Sequence, residues 1–157
     1  MIVTINTDAS FHPKYKVGAY AFWIVCDKGR IQRSGPLRMA DNSLEAELKA
    51  IANAVHTLRC SDIRGIHKII INCDCVKAFC RVSITNPDPV GRHIATMLNE
   101  IKSANGVKGK KKKIHEFRHV KAHVKQIEDA RTWVNDWCDT EAKKQLWIKI
   151  KAENKLE

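Results

Sequence analysis

Long apolar runs are missing from this chain, and none approaches the ~20 residues a membrane-spanning helix needs. The start of the chain has no charged leader followed by a small-residue cleavage site, and strand-like sequence begins at Ile2. An intracellular protein is therefore expected. None of the six cysteines (Cys26, Cys60, Cys73, Cys75, Cys80, Cys138) stands in a C-x-x-C pair, and several lie within apolar runs. A disulfide scaffold is disfavoured at this length, and reduced core thiols are expected. No internal repeat or linker composition divides the 157 residues, so 1–157 is read as one domain. Acid is scarce beside base: 17 Asp and Glu against 28 Lys and Arg give a formal charge of +11 and a pI near 9.5. That balance suits a polyanionic partner, nucleic acid first, although a merely solubilising surface would give the same count.

The first ten residues alternate β-branched and polar side chains at the strand period and end in Asp8-Ala9-Ser10. Residues 18–26 read as a second strand. Asp27-Lys28-Gly29 then turns the chain so that 30–37 returns antiparallel, with Pro36 suited to an edge. Asn42 with Glu45 resembles a capping box, and Leu44, Leu48, Ile51, Val55 and Leu58 make a helical apolar stripe. Residues 68–73 form a continuous apolar run, as in a strand covered on both faces, and end at Asp74. A helix is expected from 75 to about 83. Asp88 caps the next one, with Pro89 at its first position and Asn105-Gly106 at its end. Residues 114–120 alternate as a last strand. A final helix is expected from about 128 to 151, with acids early and lysines late. The order βββαβααβα implies a mixed five-stranded α/β sheet with helices on its faces.

Asp8 and Asp74 end adjacent strands in this reading. Glu47 lies about 60° from the centre of its helix's apolar stripe at 100° per residue, and Asp139 borders the row Cys138, Ala142, Leu146. Each acid alone is most simply a turn or surface residue. Together they fall where α/β folds gather ligands, at the carboxyl ends of parallel strands. Four converging carboxylates repel one another unless cations neutralise them, and hard oxygen donors select Mg²⁺ or Mn²⁺. Two such ions suit phosphodiester hydrolysis.

Five segments occur in order: Thr7-Asp8-Ala9-Ser10, Glu47-Leu48-Lys49-Ala50-Ile51, Asn72-Cys73-Asp74, Val120-Lys121-Ala122-His123 and Asn135 through Ala142. In these motifs the chain resembles type 1 ribonuclease H over nearly its whole length. The resemblance implies the ribonuclease H-like fold with sheet order 3-2-1-4-5, first three strands antiparallel. It also implies hydrolysis of the RNA strand of RNA–DNA hybrids, and two Mg²⁺ ions (Mn²⁺ as substitute) held by Asp8, Glu47, Asp74 and Asp139. His123 would assist proton movement or product release. The chain departs from the family at Ala9, often Gly, at Ser43, commonly an Asn that touches 2′-hydroxyls, and at Cys75, often Ser. These departures bear on strict hybrid selectivity, because telling RNA from DNA relies on 2′-hydroxyl contacts. A DNase or junction resolvase on the same fold, or a non-catalytic nucleic-acid binding module, are the alternatives.

Nucleic-acid contact is expected at Ala9, Ser10 and Ser43, at Phe79 for the DNA strand, and at Lys110, Lys111, Lys112, Lys113 and Lys121. Lys125, Lys143 and Lys144 could extend that patch. The lysine run also reads as a solvated loop or nuclear signal. Trp23, Trp133 and Trp137 are expected in the core. A zinc site on His115, His119 and His123 is rejected, since the first two would lie about 13 Å apart on a strand.

Overall fold

The computed structural model describes residues 1–109, 112–120 and 130–154. Its elements, in order, are β1 (Ile2–His12), β2 (Val17–Cys26), β3 (Gly29–Leu37), α1 (Ser43–Cys60), β4 (Lys68–Cys73), α2 (Val76–Arg81), α3 (Pro89–Ala104), β5 (His115–His119) and α4 (Ala130–Asn154). The strands form one sheet in the order β3-β2-β1-β4-β5. β1 pairs antiparallel with β2, and β2 with β3, whereas β4 runs parallel to both β1 and β5. This is the mixed sheet that the element order implied, and β3, with Pro36, is an edge.

Strand alternation sends side chains to two different cores. Val3, Ile5, Phe22, Ile24, Ile69 and Ile71 face α1 and α3, where Leu48, Ile51, Leu58, Ile94, Met97 and Leu98 complete the larger core. On the opposite face α4 lies over β1, β2 and β3. There Ala21 and Trp23 meet Cys138 and Ala142, and Val17 and Ala19 meet Leu146 and Ile150. The short side chains of Ala19 and Ala21 let the helix sit close. Each buried Leu, Ile or Phe contributes about 1.5–3 kcal/mol of transfer free energy, so the larger core is the main anchor of the sheet.

Helix ends follow the local chemistry. Asn42 Oδ1 accepts from the Glu45 N–H at 2.9 Å, while the Glu45 carboxylate reaches past the cap to the Asp41 N–H, also at 2.9 Å. Asp88 Oδ1 caps Val90 and Gly91 at 2.9 and 3.1 Å. Gly91 has a packing reason as well: a Cβ there would collide with the Arg81 carbonyl, so α3 can abut the end of α2 only without a side chain. Gly106 adopts φ +66° just past α3, the left-handed conformation that closes a helix.

Several sequence expectations need correction. α2 is only Val76–Arg81, because the chain turns at Val82, whose N–H bonds the Phe79 carbonyl. The start of the last helix expected at about residue 128, with its early acids, lies outside the described residues. Cys73 and Cys138 are buried thiols, but Cys60 and Cys80 are exposed. Trp133 is 46% exposed, lying edge-on against buried Trp23 at the margin of the α4 face rather than inside it. Among the described residues no helix is long and apolar enough to cross a membrane.

Candidate metal centre

The site begins with a register. β1 and β4 are parallel with Asn6 opposite Asn72, and Asn72 Nδ2 donates to Asn6 Oδ1 at 2.9 Å. Both amides are almost wholly buried. A slip of one strand past the other would leave them unpaired, at a cost of about 1–3 kcal/mol for each. Two residues further along, the same register brings the end of β4 at Asp74 level with Asp8 on β1. A Cys138 thiol on α4 donates to the Asn6 carbonyl at 3.6 Å and ties the second face of the sheet to this point.

The four acids reach one rim from different elements. Asp8 comes from β1, Asp74 from the end of β4, Glu47 from α1 beneath the sheet and Asp139 from α4 above it. Asp8 is 8% exposed and Glu47 9%, whereas Asp74 and Asp139 are half-buried. The Ala9 N–H forks between two of them, donating to Asp8 Oδ1 at 2.9 Å and Glu47 Oε1 at 3.3 Å. The other Glu47 oxygen accepts from the Cys73 thiol at 3.6 Å, and the Cys75 N–H in turn donates to Cys73 Sγ at 3.4 Å. Glu47 is thus held at both oxygens.

These contacts do not neutralise the charge. Burial, then the charges of Asp74 and Asp139, push the Asp8 carboxyl up to about 7, against a smaller opposing effect of the Ala9 N–H. Burial, then Asp8 and Asp74, hold Glu47 well above the usual carboxylate range. Apart from burial, the main raising influences on both acids are neighbouring carboxylates. Asp139 is paired with Lys143 at 2.7 Å. Carboxylates buried together without a counter-ion are the environment that a divalent cation relieves. Among the described residues, Glu47, Cys73 and Asp74 place ligand atoms within 4.8 Å of one another. Burial and Glu47 raise the Cys73 thiol, which stays neutral and donates to Glu47 instead of offering a thiolate. The remaining donors are hard oxygens, which fits Mg²⁺ or Mn²⁺ better than zinc.

The other expected residues are spread around this rim. Ala9 and Ser10 are half-buried on β1 just beyond Asp8, and Ser43 is exposed in the first turn of α1. Phe79 is half-buried and stacks on Phe117 with ring centroids 4.7 Å apart. Lys112 and Lys113 are exposed. Lys110, Lys111, Lys121, His123 and Lys125 lie outside the described residues. Sequence reasoning passed over Cys73 and the Asn6–Asn72 pair. The asparagine pair could have been found from a polar residue inside an otherwise apolar strand, whereas Cys73 reads as one more apolar residue.

A family model for RNase H matches residues 1–147. The chain belongs to the RNase H family. It is a ribonuclease H, a hydrolase of nucleic-acid phosphodiesters. Comparison with curated proteins finds no match. Among solved structures, LC11-RNase H1, isolated from compost by a metagenomic approach, is 14% identical with a TM-score of 0.63, covering 94% of this chain and 97% of its own. The same RNase H1 in complex with RNA/DNA hybrid gives 14% identity and a TM-score of 0.60, covering 94% of this chain and 99% of its own. The RNase H1 of the halophilic archaeon Halobacterium salinarum is 15% identical at a TM-score of 0.59, over 93% and 98% of the two chains. At such identities the likeness of this ribonuclease H to the solved structures concerns the fold.

Proposed function

We propose that the chain is a single ribonuclease H domain, 1–157, that hydrolyses the RNA strand of RNA–DNA hybrids with two Mg²⁺ ions held by Asp8, Glu47, Asp74 and Asp139. The observation that carries this reading is the pair of nearly buried acids, Asp8 and Glu47, both held above the usual carboxylate range by burial and by neighbouring carboxylates. Asp8, Glu47, Asp74 and Asp139 would hold these ions, for which Mn²⁺ could substitute, and the chemistry supplied there would be activation of a water and stabilisation of the departing 3′ oxygen. The chain's own residues set the stage for that chemistry. The Ala9 N–H fixes Asp8 and Glu47 relative to one another, and the Cys73 thiol holds the second Glu47 oxygen. Lys143 steadies Asp139.

Hybrid as substrate is supported by the family, by the fold shared with an RNase H1 solved on RNA/DNA hybrid, and by the charge of +11. Ala9, Ser10 and Ser43 are assigned to the RNA side of the cleft and Phe79 to the DNA strand. Lys110, Lys111, Lys112, Lys113 and Lys121 are assigned to phosphates, whose contribution to binding weakens with salt. His123 is assigned to proton movement or product release. Six free cysteines suit a reducing, intracellular setting.

The test is hydrolysis of hybrid, duplex DNA, branched DNA and duplex RNA side by side with Mg²⁺ or Mn²⁺. Hybrid is expected to be cut in its RNA strand at least tenfold faster than any other substrate, roughly the discrimination that one or two lost 2′-hydroxyl contacts would impose. Preferential cutting of branched DNA would move the assignment to a junction resolvase. Salt-sensitive binding with no hydrolysis would make the chain a binding module.

A further inference from the structure

Beyond the metal centre, two rows of side chains lead away from it and converge. On β1, Asp8, Ser10 and His12 point to the α4 face at the strand period. On α4, Asp139, Lys143, Trp147 and Lys151 recur every four residues. The rows meet where His12 lies edge-on to Trp147, with centroids 5.9 Å apart, and packs against Tyr15 at 4.8 Å. His12 is four residues from Asp8, about 13 Å along the strand. Trp147 is eight from Asp139, about 12 Å along the helix.

This junction is open and cationic. Trp147 is 51% exposed and Tyr15 39%, unusually high for large rings that a core could have absorbed. Lys14 Nζ stands 5.4 Å from the Tyr15 ring centre, and Lys16 follows in the same exposed turn. No acid occurs between Asp8 and Asp27, or between Glu141 and Glu153. Aromatic faces beside lysines, on two stretches of sequence without acids, offer what a nucleic-acid strand uses, bases on rings and phosphates on cations.

We propose that Tyr15 and Trp147, braced by His12, form a base-stacking platform for a single-stranded continuation of the RNA strand held at the metal centre. The inference rests on the function proposed above, because that centre fixes which strand arrives. At ~3.4 Å per stacked nucleotide, the separation corresponds to about four nucleotides from the scissile phosphate.

The experiment measures affinity of the full chain, without divalent metal, for a blunt hybrid and for the same hybrid with a four-nucleotide RNA extension at its 5′ or 3′ end. One extended hybrid is expected to bind roughly tenfold tighter than the blunt one. The double variant Tyr15→Ala, Trp147→Ala should lose that preference while cleaving blunt hybrid at the unaltered rate with Mg²⁺. Trp147→Phe with Tyr15 intact should keep most of it, which a simple folding defect would not produce. Equal binding of blunt and both extended hybrids by the unmodified chain would overturn the platform. So would a preference that survives the double variant. Self-association that the double variant abolishes, without any preference for extensions, would give the patch to a second copy of the chain. If the unmodified chain shows the preference but never cleaves hybrid, the platform stands and the hydrolytic assignment falls.

Discussion

Glu47→Gln is expected to lower the rate of hybrid cleavage by about 10²–10³ or more while hybrid binding persists or tightens. The substitution keeps the shape of the side chain and its fork with the Ala9 N–H, so the cleft is not reshaped. What it removes is one of the two almost fully buried charges in the rim. On the proposed function, metal affinity would depend on that charge, whereas contact with phosphates would depend on lysines elsewhere and improve when an anion near the backbone is neutralised. A single-turnover cleavage assay, paired with binding measured without metal, separates the two effects. Cleavage within threefold of the unmodified rate would remove Glu47 from the centre.

The second large effect is on stability. In the folded, metal-free chain the Asp8 carboxyl is held near 7 against an ordinary 3.8, so the folded state grips the proton more tightly than the unfolded state does. Below about pH 4 the acid is protonated in both states and costs nothing. As pH rises from about 4 to 7, the unfolded chain ionises first and the metal-free fold loses stability, by at most on the order of 4 kcal/mol. Asp8→Asn, which cannot ionise, should therefore melt higher than the unmodified chain in EDTA, with a gap that opens between pH 4 and pH 7. Glu47, raised for the same reason, adds in the same direction. Saturating Mg²⁺ should close or reverse the gap, because binding stabilises the charged rim and expels its protons. Thermal denaturation across that pH range, with and without Mg²⁺, reads both effects. A gap that shrinks on going from pH 4 to pH 7 in EDTA would contradict the account, as would one that Mg²⁺ leaves untouched.

The framework of this fold was legible because its signals are local and strong. Asn42 and Asp88 are capping residues with defined hydrogen-bonding geometry, and the alternation in β1 is clear. The Leu44–Leu58 stripe also fixes which face of α1 is buried, and hence that Glu47 points inward while Glu45 pairs with Lys49 outside. The placement of Asp8 beside Asp74 was legible at one remove, since parallel strands leave their carboxyl ends at the same rim. Less legible was whatever depends on partners distant in sequence. Cys73 read as one more apolar residue in β4; only the fold shows its thiol against Glu47, 26 positions away. Asn72, inside an apolar run, is explained by Asn6 across the strand pair. Trp133 carries the same sequence signal as Trp137, yet the margin of α4 leaves it exposed, because helical periodicity alone does not say where the covered sheet ends. Trp147 was unremarked for a related reason: its neighbours His12 and Tyr15 belong to the first hairpin.

The central claim is that Asp8, Glu47, Asp74 and Asp139 together hold divalent cations, and anomalous diffraction from crystals of the chain soaked in Mn²⁺ tests it most directly. Two anomalous peaks about 3.5–4 Å apart, both in contact with these carboxylates, are the predicted result. Peaks confined to histidines or exposed acids elsewhere, in a protein that still cleaves hybrid, would contradict it.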